Sequence, residues 1–347
     1  MNVDLPAPSS LASHWDLDEE VVFLNHGSYG ACPRVVLEEQ TRLRAHLERE
    51  PVRFFVEELE AALDEVKLCL GKFIGASPED LALVPNATNG VNTVLRSLDL
   101  GPNDELLVTD HEYNACRNAL DFVAGRAGAA IVVAHIPFPV REPAQVVEAL
   151  LSKVTDRTRI ALFDHVTSPT GMVLPVEELV RRLDERGVDS LVDGAHGPGQ
   201  LDLDLDGLGA AYYTGNCHKW LCTPKGSALL HVRRDRQDRI RPLTISHGAN
   251  STRTDRSRFQ IEADWTGTHD PTPFLCIPTA IEAMGGLFPG GWDELRTTNR
   301  AKALAGRDAL LAALGGEAPC PDEMISHLAA VLLPADTSPY EGHYEDP

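Results

Sequence analysis

Three side chains within one stretch of 27 residues, Asp193, His196 and Lys219, are of types that do carbonyl chemistry together. A short apolar run over 190–192 delivers Asp193, and His196 follows three residues on. A second run over 210–213, ending in two tyrosines, leads into Asn216, Cys217, His218, Lys219 and Trp220. A lysine amine becomes a useful nucleophile when its pKa falls, and burial beside an aromatic and a cationic ring lowers it. The chemistry this suggests is a Schiff base. Lys219 would bond to an aldehyde cofactor, Asp193 would keep the cofactor's ring nitrogen protonated, and His196 would sit beside the ring. A lone His-Lys pair is usually a surface feature; the ordered set of Asp-x-x-His, two aromatics and His-Lys-Trp is far more specific.

Such residues need a scaffold that brings strand ends together. Short apolar runs at 81–84, 106–108, 131–134, 160–163, 190–192, 210–213 and 227–232 alternate with helical patterns at 90–98, 115–127, 144–154 and 176–186. This alternation predicts an α/β fold, with a mostly parallel sheet covered by helices on both faces. Ligands collect at the carboxyl ends of such strands, and Asp110, His111, His165 and Asp193 all fall just past one. Ahead of the sheet, 21–24 reads as a short strand running into a Gly-punctuated turn, and apolar spacing predicts two helices over 34–47 and 53–74. Beyond Arg233, 233–258 reads as a solvated connection with some strand content, 279–287 and 295–314 as helices, and 328–333 as a last strand.

Several smaller groups carry chemistry less specifically. Asn86-Ala87-Thr88-Asn89-Gly90 joins the first strand to a helix, where backbone amides and a hydroxyl can seat a phosphate, although Asn and Thr are also common caps. His111 offers an imidazole that could lie flat on a ring, and Ser168-Pro169-Thr170-Gly171 supplies hydroxyls at a turn. Asp202, Asp204 and Asp206 before Gly207 resemble a calcium loop, but Tyr213 stands where the bidentate Glu is needed, so an alternating solvent face is expected and no metal. There is no Gly-Lys-Ser/Thr phosphate loop, no HExxH and no GxSxG elbow.

Composition bounds the rest. A net charge of −21, from 52 acidic against 31 basic residues, argues against nucleic acid and anionic membrane surfaces as partners. No apolar run approaches a membrane span, and the first twenty residues lack the pattern of a signal peptide. Seven scattered cysteines suggest reduced thiols in a cytoplasm.

The segments LNHGSYGACP, NATNG, TDHEYNA, DGAHGPG, GNCHKWLCTPKGSA and WTGTHDPT, in that order, resemble the class V aminotransferase-fold enzymes, pyridoxal-phosphate enzymes of fold type I, and among them the isopenicillin N epimerase-like branch. The resemblance covers roughly 21–287. It implies that Lys219 forms the aldimine and shuttles the α-proton, that Asp193 pairs with the pyridine nitrogen and that His196 lies by the phenolic oxygen. It implies that His111 stacks on the ring, with Tyr113 a second candidate, and that Ala87 and Thr88 hold the phosphate with help from Asn216 and His218. Thr268 would reach the phosphate of a neighbouring subunit in a homodimer with sites at its interface, and Ser168 would contact the ring oxygen. Asn25, His26 and Arg53 become substrate-side candidates, Arg53 as a carboxylate clamp.

Two departures from the family pattern stand out. His269 occupies a loop position that usually holds Arg, and no Arg follows Arg307, where relatives carry a carboxylate-gripping Arg near the end. The expected organisation is a leader over 1–20 joining the small domain, a large cofactor domain over 21–270, and a small α+β domain over 271–347 that is shortened relative to the family. The expected function is a pyridoxal 5'-phosphate enzyme acting at the α-carbon of an amino-acid substrate, epimerising through an aldimine and a quinonoid. The alternatives are a C–S lyase, a cysteine desulfurase or an aminotransferase. A desulfurase would need a mobile Cys, and Cys320 between two prolines lacks evident activation. A rival of another class is a non-catalytic binding protein on the same fold.

Overall fold

Apolar runs too short for helices, closed off by Gly, Asn or Asp, form seven strands of a single sheet. In the computed structural model, which describes residues 9–334, these are β1 (Leu81–Val84), β2 (Glu105–Thr109), β3 (Ala130–Ala134), β4 (Thr158–Asp164), β5 (Asp189–Asp193), β6 (Tyr212–Asn216) and β7 (Ala228–Val232). Their spatial order is β1-β7-β6-β5-β4-β2-β3. β7 runs antiparallel to β1 and β6, and the remaining pairs are parallel.

Side chains alternate between two buried cores, as the period of a strand requires. Leu107, Ala161, Phe163, Val192, Tyr213 and Leu229 face one core; Leu106, Val108, Ile160, Leu162, Leu191, Tyr212 and Leu230 face the other. Helices α2 (Leu59–Ile74), α5 (Pro143–Leu151) and α6 (Val176–Asp184) cover the first face through Val66, Leu70, Ile74, Val146, Leu150, Leu179 and Leu183, following α1 (Arg34–Arg49) in the chain. Helices α3 (Ala87–Ser97), α4 (Asn114–Ala127) and α7 (Arg258–Ala263) cover the second through Val91, Val94, Leu95, Cys116, Leu120 and Phe259. Each such aliphatic side chain contributes about 1.5–3 kcal/mol by leaving water. Two further helices, α8 (Ile277–Gly285) and α9 (Gly291–Leu314), follow. The chain then returns to the main core: Val140 N donates to Pro319 O at 2.8 Å and Val173 N to Met324 O at 2.9 Å, while Cys320, Met324 and Ile325 are buried.

Most elements stand where the sequence places them, with three differences. Residues 21–24 are not a strand; Leu24 is 86% exposed, and no sheet edge lies against them to take up their backbone groups. Residues 328–333 likewise form no strand, and only Ile325 makes an isolated bridge, to Met172. The connection over 233–258 carries two 3-10 turns instead of strand, and it ends in Ser257, whose hydroxyl caps the unexpected α7 by accepting from Gln260 N. Residues 1–8 of the expected leader and 335–347 of the expected small domain lie outside the described residues.

Candidate active site

Parallel strands bring their carboxyl ends to one edge, and the chain leaves each end carrying a polar group. β4 and β5 are in register, so Asp164 and Asp193 are direct partners at their final residues. β6 ends at Asn216, which passes the chain to His218 and Lys219. Gly194 and Gly197 leave Asp193 for His196 under the Tyr213 ring. A Cβ at either glycine would lie 2.1 Å from that ring or its hydroxyl, so only glycine lets the loop pass.

At the centre, Lys219 Nζ lies 3.2 Å from His196 Nε2. The Trp220 indole N–H donates to His196 Nδ1 at 3.1 Å. Because Nδ1 accepts, the neutral ring carries its proton on Nε2, and that proton points at the lysine nitrogen. Burial pushes the imidazole down to about 3, with the lysine charge adding to the effect, so it stays neutral. Burial also lowers the Lys219 pKa, against the opposing pull of Asp193 and Asp164. A neutral amine can accept from Nε2–H, and that arrangement leaves Lys219 ready as a nucleophile or base.

Asp193 is buried, and its carboxylate accepts from Ala195 N at 2.9 Å and from the Cys116 thiol at 3.1 Å. Burial raises its pKa; the two hydrogen bonds and Lys219 oppose the rise. Glu112 and Asp164 crowd the same spot, and burial together with the neighbouring carboxylates pushes both well above the ordinary range.

Around this centre the structure places the other expected residues with mixed results. Asn216 Oδ1 accepts from Ala87 N at 2.9 Å, pinning the start of α3 to the end of β6. Ala87's amide is thereby occupied, and Asn86 Oδ1 takes the amide of Asn89. The amide and hydroxyl of half-buried Thr88 keep no hydrogen-bond partner among the described residues. His218 Nδ1 donates to Ser227 O at 2.9 Å, and burial pushes its pKa down to about 4. His111 bonds Thr170 Oγ1 at 3.1 Å and meets Phe138 edge-on, while Ser168, the expected hydroxyl, is exposed. Tyr113 is 46% exposed at the start of α4. Asp110 holds His135 and Ile136 N, a local anchoring role.

On the substrate side, His26 Nε2 reaches Lys219 O at 3.0 Å and its ring lies 5.0 Å from Trp220. Asn25 is exposed beside it. Arg53 is exposed and paired with Glu58 at 3.0 Å on the helical arm, not with any of the central residues. Thr268 is exposed, on the wall of a cavity of about 510 Å³ that Asn89 and Lys225 also line. Cys116, Glu112, Asp164 and Trp220 are neighbours of the centre that the sequence reading did not assign. Glu112 and Cys116 are four residues apart, a helix-turn spacing, and Asp164 closes a strand as Asp193 does; those were the available signals.

No helix of the described residues is long and apolar enough to cross a membrane. Solved structures give a likeness of fold: the cystine C-S lyase C-DES, in complex with cysteine persulfide, superposes with a TM-score of 0.72 at 23% identity, covering 84% of this chain and 78% of that one. By sequence the chain is 35% identical over 339 residues to isopenicillin N epimerase of Streptomyces clavuligerus, covering 94% of this chain and 84% of the relative. It is 28% identical to a probable chloroplastic L-cysteine desulfhydrase of Arabidopsis thaliana, covering 91% of this chain and 69% of that protein. The sequence profile of aminotransferase class-V matches residues 21–269. A buried lysine held against a histidine at the carboxyl edge of a mostly parallel sheet, together with that match, establishes the chain as a member of the aminotransferase class-V family of pyridoxal-phosphate-dependent enzymes.

Proposed function

We propose that this enzyme moves the α-proton of an amino-acid substrate in an epimerase-type reaction, with Lys219 Nζ as the proton carrier. The observation that carries the reading is the 3.2 Å contact between Lys219 Nζ and the Nε2 of a His196 whose tautomer Trp220 fixes. A neutral amine is what both bonding an aldehyde and accepting an α-proton require. The residues fit pyridoxal phosphate. Asp193 offers a buried carboxylate to the ring nitrogen, Asp164 Oδ2 is a buried oxygen left without a partner beside it, and Thr88 keeps a free amide and hydroxyl for a phosphate. When bound, the cofactor supplies an electron sink for charge at the substrate α-carbon.

In this reading Asp193 holds the ring nitrogen, His196 stands by the ring oxygen and His111 stacks. Thr88 and His218 seat the phosphate, and Asn216 serves by fixing Ala87 rather than by direct contact. Ser168 contacts the ring oxygen, and Asn25, His26 and Arg53 meet the substrate. Thr268 serves the site of a second subunit in a homodimer, and its exposure supports that role. Seven free thiols support a cytoplasmic setting. The 35% identity to an isopenicillin N epimerase favours epimerisation. The similarity to an L-cysteine desulfhydrase favours C–S lysis as the second reading.

The test is incubation in D2O with isopenicillin N and, separately, with L-cysteine. The expected result is the other epimer with deuterium at the α-carbon and no sulfide. Lys219→Ala is expected to lower that rate by roughly 10³-fold. Sulfide release from L-cysteine without epimerisation overturns the proposal in favour of a lyase. Cofactor binding with neither reaction overturns it in favour of a binding protein.

A further inference from the structure

Glu112 lies two residues ahead of α4 and four before Cys116 in its first turn, and one carboxylate oxygen of Glu112, the Cys116 sulfur and one carboxylate oxygen of Asp193 lie within 4.8 Å of one another. Both Glu112 oxygens are buried without a hydrogen-bond partner, and so is Asp164 Oδ2, on a residue only 3% exposed. Asp164 is the in-register neighbour of Asp193 across β4 and β5. Three carboxyl groups therefore share one buried volume, and among the described residues the cation that faces it is Lys219; Cys116 and Tyr213 are the other titratable groups that face it. Three carboxylates cannot all be ionised there, because each charge would be both desolvated and repelled by the others. Two acceptor oxygens facing each other become a hydrogen bond only when one carries a proton.

We propose that Glu112 is a positioning residue for the cofactor's ring nitrogen: as a neutral carboxylic acid it donates a hydrogen bond to Asp193, and Asp164 reinforces it by crowding a third carboxyl group into the same volume. This rests on the reading of Asp193 as the ring-nitrogen partner. Asp193 accepts from Ala195 N and from the Cys116 thiol, which favours its ionised form, whereas neither Glu112 oxygen has a partner, so when a cation faces the group it is Asp193 that ionises and Glu112 that keeps its proton. The donated hydrogen bond then fixes which Asp193 oxygen turns to the ring. Such a group costs stability, since an apolar side chain of the same size would leave nothing unpaired.

Two variants separate a positioning role from a packing one. Glu112→Gln keeps a neutral donor, and Glu112→Leu fills the space without one. The readouts are the infrared carbonyl stretch of a protonated carboxylic acid in the apoprotein at neutral pH, the dissociation constant for pyridoxal 5'-phosphate, and the pH profile of the bound cofactor's visible band. The protonated-acid signal is expected in the wild type and lost or diminished in Glu112→Gln. Glu112→Gln is expected to bind within about twofold of wild type with an unchanged pH profile. Glu112→Leu is expected to melt at a higher temperature yet bind about tenfold more weakly, the loss of one charge-assisted hydrogen bond, with a shifted profile. Unchanged affinity and profile in Glu112→Leu, or an ionised Glu112 in the apoprotein, overturns the proposal while leaving the function standing. A wild type that takes up no pyridoxal 5'-phosphate overturns both. Asp193→Ala is the separate control: undiminished binding there overturns the assignment of Asp193 itself.

Discussion

His196 is held from both sides, and that decides which of its nitrogens carries the proton facing Lys219. Trp220 occupies Nδ1 and leaves the Nε2 proton to face the amine. The Trp220→Phe variant keeps the aromatic packing against His26 and removes the indole N–H. The ring can then adopt either tautomer, and half of that freedom turns a lone pair toward the lysine. Turnover is expected to fall about tenfold, the scale of one hydrogen bond at about 1.4 kcal/mol. Nitrogen NMR of His196 checks the cause: wild type should show the proton on Nε2 alone, and the variant a mixture. A variant with the wild-type tautomer and rate sinks the argument. At this scale the sequence was informative where residue type alone limits the chemistry. Asp193, His196 and Lys219 could be grouped from the sequence because few arrangements need that set, and the structure brings them close. Glu112 and Asp164 were not, because an acid past a strand is common, and only burial without a partner makes it unusual.

Among the elements, the helical arm is locked to the sheet domain by a buried ion pair. Lys67 of α2 is 1% exposed and its amine lies 2.8 Å from Asp264, just past α7, with Asp64 at 3.3 Å and Arg256 alongside. Removing the lysine takes away the nearer of the two cations on buried Asp264 and leaves only Arg256, at 3.8 Å, among the described residues. Lys67→Met is expected to destabilise by about 3 kcal/mol in denaturant unfolding, whereas Lys67→Met with Asp264→Leu should recover most of the loss. A single variant as stable as wild type would show that the pair holds nothing. Neither α7 nor this pairing was legible in the sequence. Residues 233–258 are dense in Arg and Asp, which reads as solvent-facing; in fact Arg236 and Arg241 pair with Asp189 and Glu262 against the sheet domain. The runs at 21–24 and 328–333 have strand composition, but a strand needs a neighbour, and composition does not say whether a sheet edge is within reach.

Across the whole molecule, buried titratable groups set the response to pH. Burial pushes His165, His218 and His327 down to about 4 and His196 to about 3, from an ordinary 6.5. The unfolded chain protonates these rings below about 6.5 while the folded one resists until about 4. Between those values the unfolded state binds more protons, so stability rises with pH through that window and is complete above it. For His165, a fall from 6.5 to about 4 is worth on the order of 3 kcal/mol. The raised carboxyls of Glu112, Asp164 and Asp193 act the other way, since the folded state holds their protons as pH climbs past about 4. The apoprotein is therefore expected to lose melting temperature as pH falls from 6.5 to 4, with a shallower acid limb in His165→Gln. A melting temperature flat across that range contradicts the expectation.

What the sequence determined by itself is where the seven strands of the sheet lie, though it also offered 21–24 and 328–333, and which residues stand at their ends. Continuous short apolar runs must be buried on both faces, and helices between them force parallel neighbours. That placed Asp110, His111, His165 and Asp193 near one edge from the sequence alone. The tertiary structure alone decided which of those residues touch. It set Asp164 beside Asp193 through the β4–β5 register, turned the Trp220 indole onto His196 and spent the Ala87 amide on Asn216. The reason is physical: chain-local forces fix an element's type and its ends, while protonation, hydrogen bonding and charge depend on groups 20 to 130 residues away, which only packing brings within a few ångströms.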